Sequence, residues 1–306
     1  MFNKIFTVIF ILSLLLSCCT GSKEGTKEDS STDKPNIIYI LADDLGYGDL
    51  NSFGQEKFTT PNIDQLAEEG MKFTRHYSGS TVCAPSRSSL LTGLHTGHTP
   101  IRGNMEIKPE GQAPLPSSSL TIAEMLKQEG YFTGAFGKWG LGFPGSEGDP
   151  VNQGFDVFFG YNCQRQAHRY YPEYLWHNKE KVFLEGNDLT RTTTYAPDVI
   201  HEKVMDFIDT ARNQPFFLYY PIIQPHAELL VPDDSIFRHY QGKYPEEPFI
   251  GTEGADYGPN MIIGKYTSQE YPHATFAAMI SRIDLYVGEI MKKLEEYGLE
   301  ENTIIM

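Results

Sequence analysis

The sequence predicts an α/β protein with a mostly parallel central sheet and helices on both of its faces. Apolar, strand-like runs alternate along the chain with amphipathic segments of helical spacing, which is the pattern of repeated β-α-β units. The first run, NIIYIL at 36–41, is almost continuously apolar, as expected for a strand buried on both faces. Because parallel sheets bind ligands at the carboxyl ends of their strands, we expect the chemically active motifs directly after the strands.

The other elements follow from local signals. Proline at the start and glycine at the end indicate a helix at 61–70, and apolar residues at helical spacing indicate a long one at 274–297. A further helix is predicted to start near Cys83, where Pro85 precedes a Ser/Leu pattern. In total, strands are predicted at 36–41, 71–77, 131–136, 216–221 and 302–306, with the remaining helices at 120–130 and 196–212.

Composition restricts the classes of partner. The 306 residues are 40% apolar and 21% charged, which describes a globular chain long enough for a sizeable core. The net charge of −15 makes nucleic acid an unsuitable partner, whereas small anions respond to local charge and are not excluded. Four cysteines are too few for a disulfide scaffold.

The amino terminus has the form of an export signal. Lys4 precedes an apolar run at 5–16, and the sequence Leu-Leu-Ser at 15–17 leads into Cys18. This ending resembles a bacterial lipobox, so we expect a signal peptide at 1–17 and lipid attachment at Cys18. The alternative is an ordinary secretory signal that is cut slightly later.

A flexible tether and one folded region are expected to follow the signal. Residues 18–34 are mostly small or charged, which is typical of a tether, and the folded region is predicted to span 35–306. The protein is therefore expected to be exported to the periplasm or cell surface and to contact a bacterial membrane only through its lipid.

Two carboxylates follow the first predicted strand. Asp43 and Asp44 are adjacent, and such a pair is costly at a strand end unless a cation lies between the two. Hard oxygen ligands suit Ca²⁺ or Mg²⁺. The alternative is an acidic turn on the surface.

A second motif runs from Cys83 to Gly93 and reads CAPSRSSLLTG. Cys83 is predicted to lie at a helix amino end, where free N–H groups favour an anion. Arg87 lies four residues on and therefore on the same helical face. A cysteine beside a planar cation suits a nucleophile that acts on a tetrahedral oxyanion.

The pattern C-x-P-S-R-x-x-x-L-T-G resembles the signature of the type I sulfatases, and this chain is similar to the arylsulfatase and N-acetylgalactosamine-6-sulfatase branch of that family. Two further segments carry the resemblance. GKWGLG at 137–142 resembles the family's G-K-W-H-x-G, with Lys138 matching and Gly140 standing where the family has histidine. Gln-Pro-His at 224–226 resembles the segment that carries a sulfate-binding histidine, here His226, although Glu228 replaces the later proline of that pattern.

This resemblance implies a fold, a cofactor and a set of site residues. The fold would be the alkaline-phosphatase-like sulfatase fold. A maturation enzyme would oxidise Cys83 to formylglycine. The resemblance assigns catalysis to Cys83, Arg87, Lys138 and His226, and Ca²⁺ (or Mg²⁺) binding to Asp43, Asp44 and residue 83.

The implied chemistry explains why the cysteine would be oxidised. A hydrated aldehyde offers one hydroxyl for attack on sulfur while the alcohol leaves, and a second hydroxyl whose deprotonation expels sulfate. The expected substrate is a sulfated carbohydrate or an aryl sulfate. Further residues expected to contact the substrate are His95, Arg102, Arg165 and His168, the last of which is also a candidate to replace the missing motif histidine in space.

Two other functions stay open at this point. One is a phosphatase or phosphodiesterase of the same superfamily, and the other is an inactive, glycan-binding lipoprotein. The resemblance also implies further metal ligands, a second lysine and a smaller carboxyl-terminal domain after the strand at 302–306. We therefore expect the chain to be the amino-terminal part of a longer sulfatase.

Overall fold

The protein has a seven-stranded central sheet. Its structure is a computed structural model that describes residues 34–188, 191–251 and 268–306. The predicted signal peptide, Cys18 and nearly all of the tether lie outside these residues. In chain order the strands are β1 (Asn36–Asp43), β2 (Phe132–Lys138), β3 (Val157–Tyr161), β4 (Tyr174–His177), β5 (Glu180–Phe183), β6 (Phe216–Pro225) and β7 (Thr303–Ile305).

The sheet is mostly parallel, as predicted. Its spatial order is β5-β4-β3-β2-β6-β1-β7. The five strands from β3 to β7 in that order pair in parallel, and only β4 and β5 run antiparallel at one edge. Strands β2, β6 and β1 are therefore neighbours at the centre, with their carboxyl ends at the same edge of the sheet.

Seven α-helices accompany the sheet among the described residues. They are α1 (Pro61–Glu69), α2 (Cys83–Thr92), α3 (Ile122–Gln128), α4 (Gln164–Ala167), α5 (Ala196–Ala211), α6 (Ser235–Tyr240) and α7 (Pro272–Glu296). Local sequence explains their ends: Thr121 and Glu124 form a reciprocal capping box at the start of α3, and proline stands in the first turn of α1, α5 and α7. No helix in the described ranges has the length and apolarity needed to cross a membrane.

Helices cover both faces of the sheet. All ten residues of β6 are buried, and successive side chains point to opposite faces. Leu218 and Tyr220 join the core formed with α5 and α7, whereas Phe217 and Tyr219 join a second core with α2 and α3. This arrangement confirms the predicted fold class and explains why β6 is a continuous apolar run.

The prediction of a strand at 71–77 is wrong. This segment has no regular structure, and Met71, Phe73 and Tyr77 are 78%, 65% and 81% exposed. Its apolar alternation is typical of a strand, but a strand also needs a backbone partner, and no described strand pairs with it. The helix that starts at Cys83 therefore does not follow a strand, contrary to the expectation that every active motif would do so.

The other predicted elements are present, with ends shifted by a few residues. The largest shift is in β6, which extends four residues beyond the predicted end, to Pro225. Because a strand pairing on both sides continues as long as its neighbours do, the extension reflects pairing with β1.

Asp156 joins three elements at the opposite, amino-terminal edge of the sheet. Its carboxylate accepts hydrogen bonds from Thr133 N and Oγ1, both at 3.0 Å, and lies 2.6 Å from Nζ of Lys127. Burial by itself raises the pKa of Asp156, but the hydrogen bonds from Lys127 and Thr133 outweigh it and lower the pKa. A depressed pKa means that this carboxylate stabilises the fold above the unfolded pKa, and that its contribution is lost as pH falls through the folded pKa.

We expect Asp156→Asn to lower the free energy of unfolding at neutral pH by about 1 kcal/mol, because it removes a charged acceptor that is partly exposed to solvent. The difference from wild type should shrink as pH falls below about 5, where the carboxyl of the unfolded chain begins to protonate while the native one stays ionised. Urea denaturation at neutral pH and at about pH 3.5 measures both.

Asp206→Asn is the matched control. It removes an exposed ion pair with Lys203 at 2.7 Å on α5, and its effect should stay within about 0.5 kcal/mol. A stability difference for Asp156→Asn that is the same at both pH values would contradict the assignment.

Candidate active site

Three central strands deliver polar side chains to one edge of the sheet. Asp43 ends β1, Lys138 ends β2, and His226 directly follows β6. Because these strands are neighbours and parallel, their carboxyl ends meet. The sheet rule therefore places three predicted site residues in one location although they are far apart in sequence.

Helix α2 brings the fourth and fifth residues. Cys83 is its first residue, and Arg87 follows one turn later on the same face. Arg87 is 2% exposed; its Nη1 donates a hydrogen bond to the Lys138 carbonyl at 2.5 Å, and its Nη2 lies 3.5 Å from Oδ2 of Asp43. At the start of the helix, the N–H of Ala84 donates to Oδ1 of Asn104 at 3.1 Å.

The side chains of Asp43, Lys138 and Cys83 form a compact group. Nζ of Lys138, which is fully buried, donates to Oδ2 of Asp43 at 2.6 Å and to Sγ of Cys83 at 3.3 Å. Sγ of Cys83 lies 3.7 Å from Oδ1 of Asp43. The cysteine thus has an ammonium group on one side and a carboxylate on another.

Neighbouring charges set the protonation of this group. Burial raises the pKa of Asp43, but Lys138 and Arg87 outweigh it and hold the pKa well below its ordinary range. Burial also raises the pKa of the Cys83 thiol, and the hydrogen bond with His226 and the charge of Lys138 reverse the effect, so the net pKa is lowered. Position 83 is therefore an electropositive place that favours a negative charge.

Two histidines stack beside this group. The rings of His168 and His226 lie 4.0 Å apart between centroids, with 15° between their planes, and Nε2 of His168 is 3.5 Å from Nζ of Lys138. Burial lowers the pKa of His168 to about 2, and the charges of Lys138 and His226 contribute. Burial lowers the pKa of His226 too, but its hydrogen bond with Cys83 raises it above the ordinary value.

The predicted metal residues are only partly brought together. Among the described residues, one ligand atom each from Asp43, Cys83 and His226 lie within 4.8 Å of one another. Asp44 is outside that group: its side chain is 66% exposed, and Oδ2 lies 3.4 Å from Nε2 of His226. Oxygen, sulfur and nitrogen together suit a softer metal than Ca²⁺, so the group matches the predicted cation only if an oxygen replaces the sulfur of residue 83.

The residues expected to contact substrate divide into two sets. His168 lies within the cluster described above, and Arg165 is nearby on α4, where it forms a two-point ion pair with Glu106. His95 and Arg102 lie on the exposed loop after α2, where both make hydrogen bonds to the backbone of Gly97. Their predicted contacts with substrate stay predictions.

Aromatic residues at 143–178 are mostly core. Burial to below 10% exposure is shared by Phe155, Phe158, Phe159, Tyr161, Tyr170 and Tyr174. Packing in the core therefore accounts for most of these aromatic side chains, and Tyr171 and Trp176 retain partial exposure.

Several supporting residues carried no signal in the sequence. Gln164 packs against Gly140, and Arg169 pairs with Glu228 at 2.9 Å across two loops. Asn104 has no motif around it. The sequence signals near these residues were the departures from the family pattern at Gly140 and Glu228. A changed residue in a site indicates that the residues packed against it have changed as well.

A sulfatase family model matches residues 35–306. The chain is 30% identical to the N-acetylgalactosamine-6-sulfatase of Mus musculus over 315 residues, covering 95% of this chain and 54% of the relative. It is 32% identical to an arylsulfatase of Hemicentrotus pulcherrimus over 314 residues, covering 96% and 49%.

Solved structures also resemble this chain. The crystal structure of Ps i-CgsB, which has also been solved in complex with k-i-k-neocarrahexaose, matches with a TM-score of 0.70 and 28% identity, covering 89% of this chain and 57% of that one. The chain thus spans about half the length of these curated relatives. From the match of the family model and the relatives along almost the whole folded region, we conclude that this chain belongs to the sulfatase family.

Proposed function

We propose that this protein hydrolyses sulfate esters through a nucleophile made from Cys83. The observation that carries the proposal is the position of Cys83 at the first turn of α2, 3.3 Å from the Lys138 ammonium, with Arg87 buried beside it. A cysteine beside a buried carboxylate and two buried cations is arranged to act on a tetrahedral anion rather than to fill a core.

The chain's own residues supply charge and orientation. Lys138 and Arg87 would compensate the negative charge of the sulfate group, and His226 would bind the sulfate near the oxygen of the leaving alcohol. Asp43 keeps both cations in place, because its pKa is held low and it stays ionised. Since these groups are buried and already paired, little reorganisation is needed when the ester binds.

A modified residue and a metal ion would complete the chemistry. A hydrated formylglycine at position 83 would supply an oxygen nucleophile and a second hydroxyl for sulfate release, and Ca²⁺ or Mg²⁺ would make such a hydroxyl more acidic. Asp43, Asp44 and the oxygen of the modified residue 83 would hold the cation. These three are part of the roughly six to eight oxygen ligands that Ca²⁺ takes.

A sulfated carbohydrate is the substrate class that the relatives favour. One relative is named for sulfated N-acetylgalactosamine, and Ps i-CgsB has been solved with a neocarrahexaose. In this chain His95, Arg102 and Arg165 are the proposed substrate contacts. A formylglycine-generating enzyme is the proposed maturation partner, and lipid attachment at Cys18 the proposed link to a membrane outside the cytoplasm.

The first test is peptide mass spectrometry of Cys83. The protein is expressed with formylglycine-generating machinery, and the tryptic peptide 76–87 is expected to carry an aldehyde in place of the thiol. Cys163, which is fully buried, is the internal control and should remain a thiol. An unmodified thiol at position 83 would contradict the proposed nucleophile and would favour the inactive, glycan-binding alternative.

The second test compares the hydrolysis rates of the sulfate ester and the phosphate ester of the same aryl alcohol. We expect the sulfate ester to be hydrolysed faster.

Lys138→Met should lower kcat/KM for the sulfate ester by about 10²- to 10³-fold, because one charged donor to the developing anion is lost. Lys292→Met, on a side chain that is 74% exposed, is the matched control.

Circular dichroism of the Lys138→Met protein shows whether the fold is retained. A faster phosphate reaction would replace the sulfatase proposal with the phosphatase alternative. A folded Lys138→Met protein with a rate within about threefold of wild type would refute the role of Lys138.

A further inference from the structure

A side chain at position 140 would have a strained backbone and would displace the side chain of Gln164. Gly140 has a φ of +78°, in the left-handed region, and a Cβ there would lie 2.9 Å from Nε2 and 3.0 Å from Cγ of Gln164. Gln164 is the first residue of α4, and His168 is the residue that caps the end of the same helix. The helix that fills the space above Gly140 therefore also brings an imidazole to the site.

His168 completes the set of partners around the Lys138 ammonium. An ammonium group has three donors and no acceptor, so Nε2 of His168, 3.5 Å from Nζ, is the acceptor in that contact. The other acceptors are Oδ2 of Asp43 at 2.6 Å and Sγ of Cys83 at 3.3 Å. These three acceptors match the three donors of the ammonium group.

The two histidine loops are tied to each other. Nη1 of Arg169 lies 2.9 Å from Oε1 of Glu228, which is 2% exposed, and the hydroxyl of Tyr170 donates to the carbonyl of His226 at 2.6 Å. The residues directly after His168 are thus bound to the residues around His226. These contacts hold the two rings in their stack, 4.0 Å apart.

We propose that His168 is a positioning residue of this active site: its Nε2 directs the Lys138 ammonium toward position 83 while its ring holds the His226 imidazole. The inference rests on the proposed sulfatase function. It assigns to α4, and not to position 140, the imidazole that completes the site. Because His168 acts through Lys138 and His226, its loss should misplace the groups that meet the sulfate and leave the contacts with the rest of the substrate in place.

Two substitutions separate the two contacts. His168→Phe keeps a flat ring against His226 and removes the acceptor, whereas His168→Gln keeps an acceptor and removes the ring. His239→Phe is the matched control, because His239 also contacts a lysine, Lys243 at 2.8 Å, but on the exposed surface of α6.

The experiment measures kcat and KM for an aryl sulfate and, by calorimetry, the Kd for inorganic sulfate, in protein whose residue 83 has been checked by mass spectrometry. We expect His168→Phe to lower kcat by about 10- to 100-fold and to change KM by less than about threefold. The Kd of the His168→Phe protein for sulfate should rise as well. His168→Gln should recover part of the lost kcat and part of the lost sulfate affinity, and His239→Phe should match wild type.

Two outcomes would overturn the inference. One is a His168→Phe protein with kcat and sulfate Kd within about twofold of wild type, and the other is a His168→Gln protein no better than His168→Phe. A wild-type protein that does not hydrolyse the aryl sulfate would instead refute the proposed function. The sulfate affinities of the same variants would then decide the role of His168 alone.

Discussion

The buried pair between Asp43 and Lys138 is the interaction on which the site depends. The side chains are 7% and 0% exposed and 2.6 Å apart. Neither charge is tolerable alone in this environment, since removing one partner of a buried pair typically costs about 3–5 kcal/mol. Arg87 adds a second cation to Asp43 and donates to the backbone of Lys138, so that the helix with Cys83 is attached to both strand ends.

Sheet order makes this pair geometrically available. β1 and β2 are separated only by β6, and a strand spacing of about 4.8 Å leaves their carboxyl ends within reach of a long lysine side chain. β6 ends between them and supplies His226. A different order of the same strands would separate Asp43 from Lys138, so topology and electrostatics are coupled here.

The departures from the family pattern are related in space. Gly140 leaves room for Gln164, the helix of Gln164 carries His168, and Arg169 beside it pairs with Glu228. Two positions that looked like separate losses in the sequence thus belong to one assembly of two loops. A buried carboxylate such as Glu228 is costly without a cation, and Arg169 is the cation that makes it tolerable.

Sequence alone determined the class of fold, the family and the identity of the central residues, because apolar periodicity and an eleven-residue signature are local properties. It placed Asp43, Lys138 and His226 at strand ends and Cys83 at a helix start. Tertiary structure decided that residues 71–77 form no strand, and it decided the arrangement around Gly140. Backbone pairing, packing volume and the pairing of buried charges depend on residues far apart in the chain, and no local pattern specifies which of them will meet.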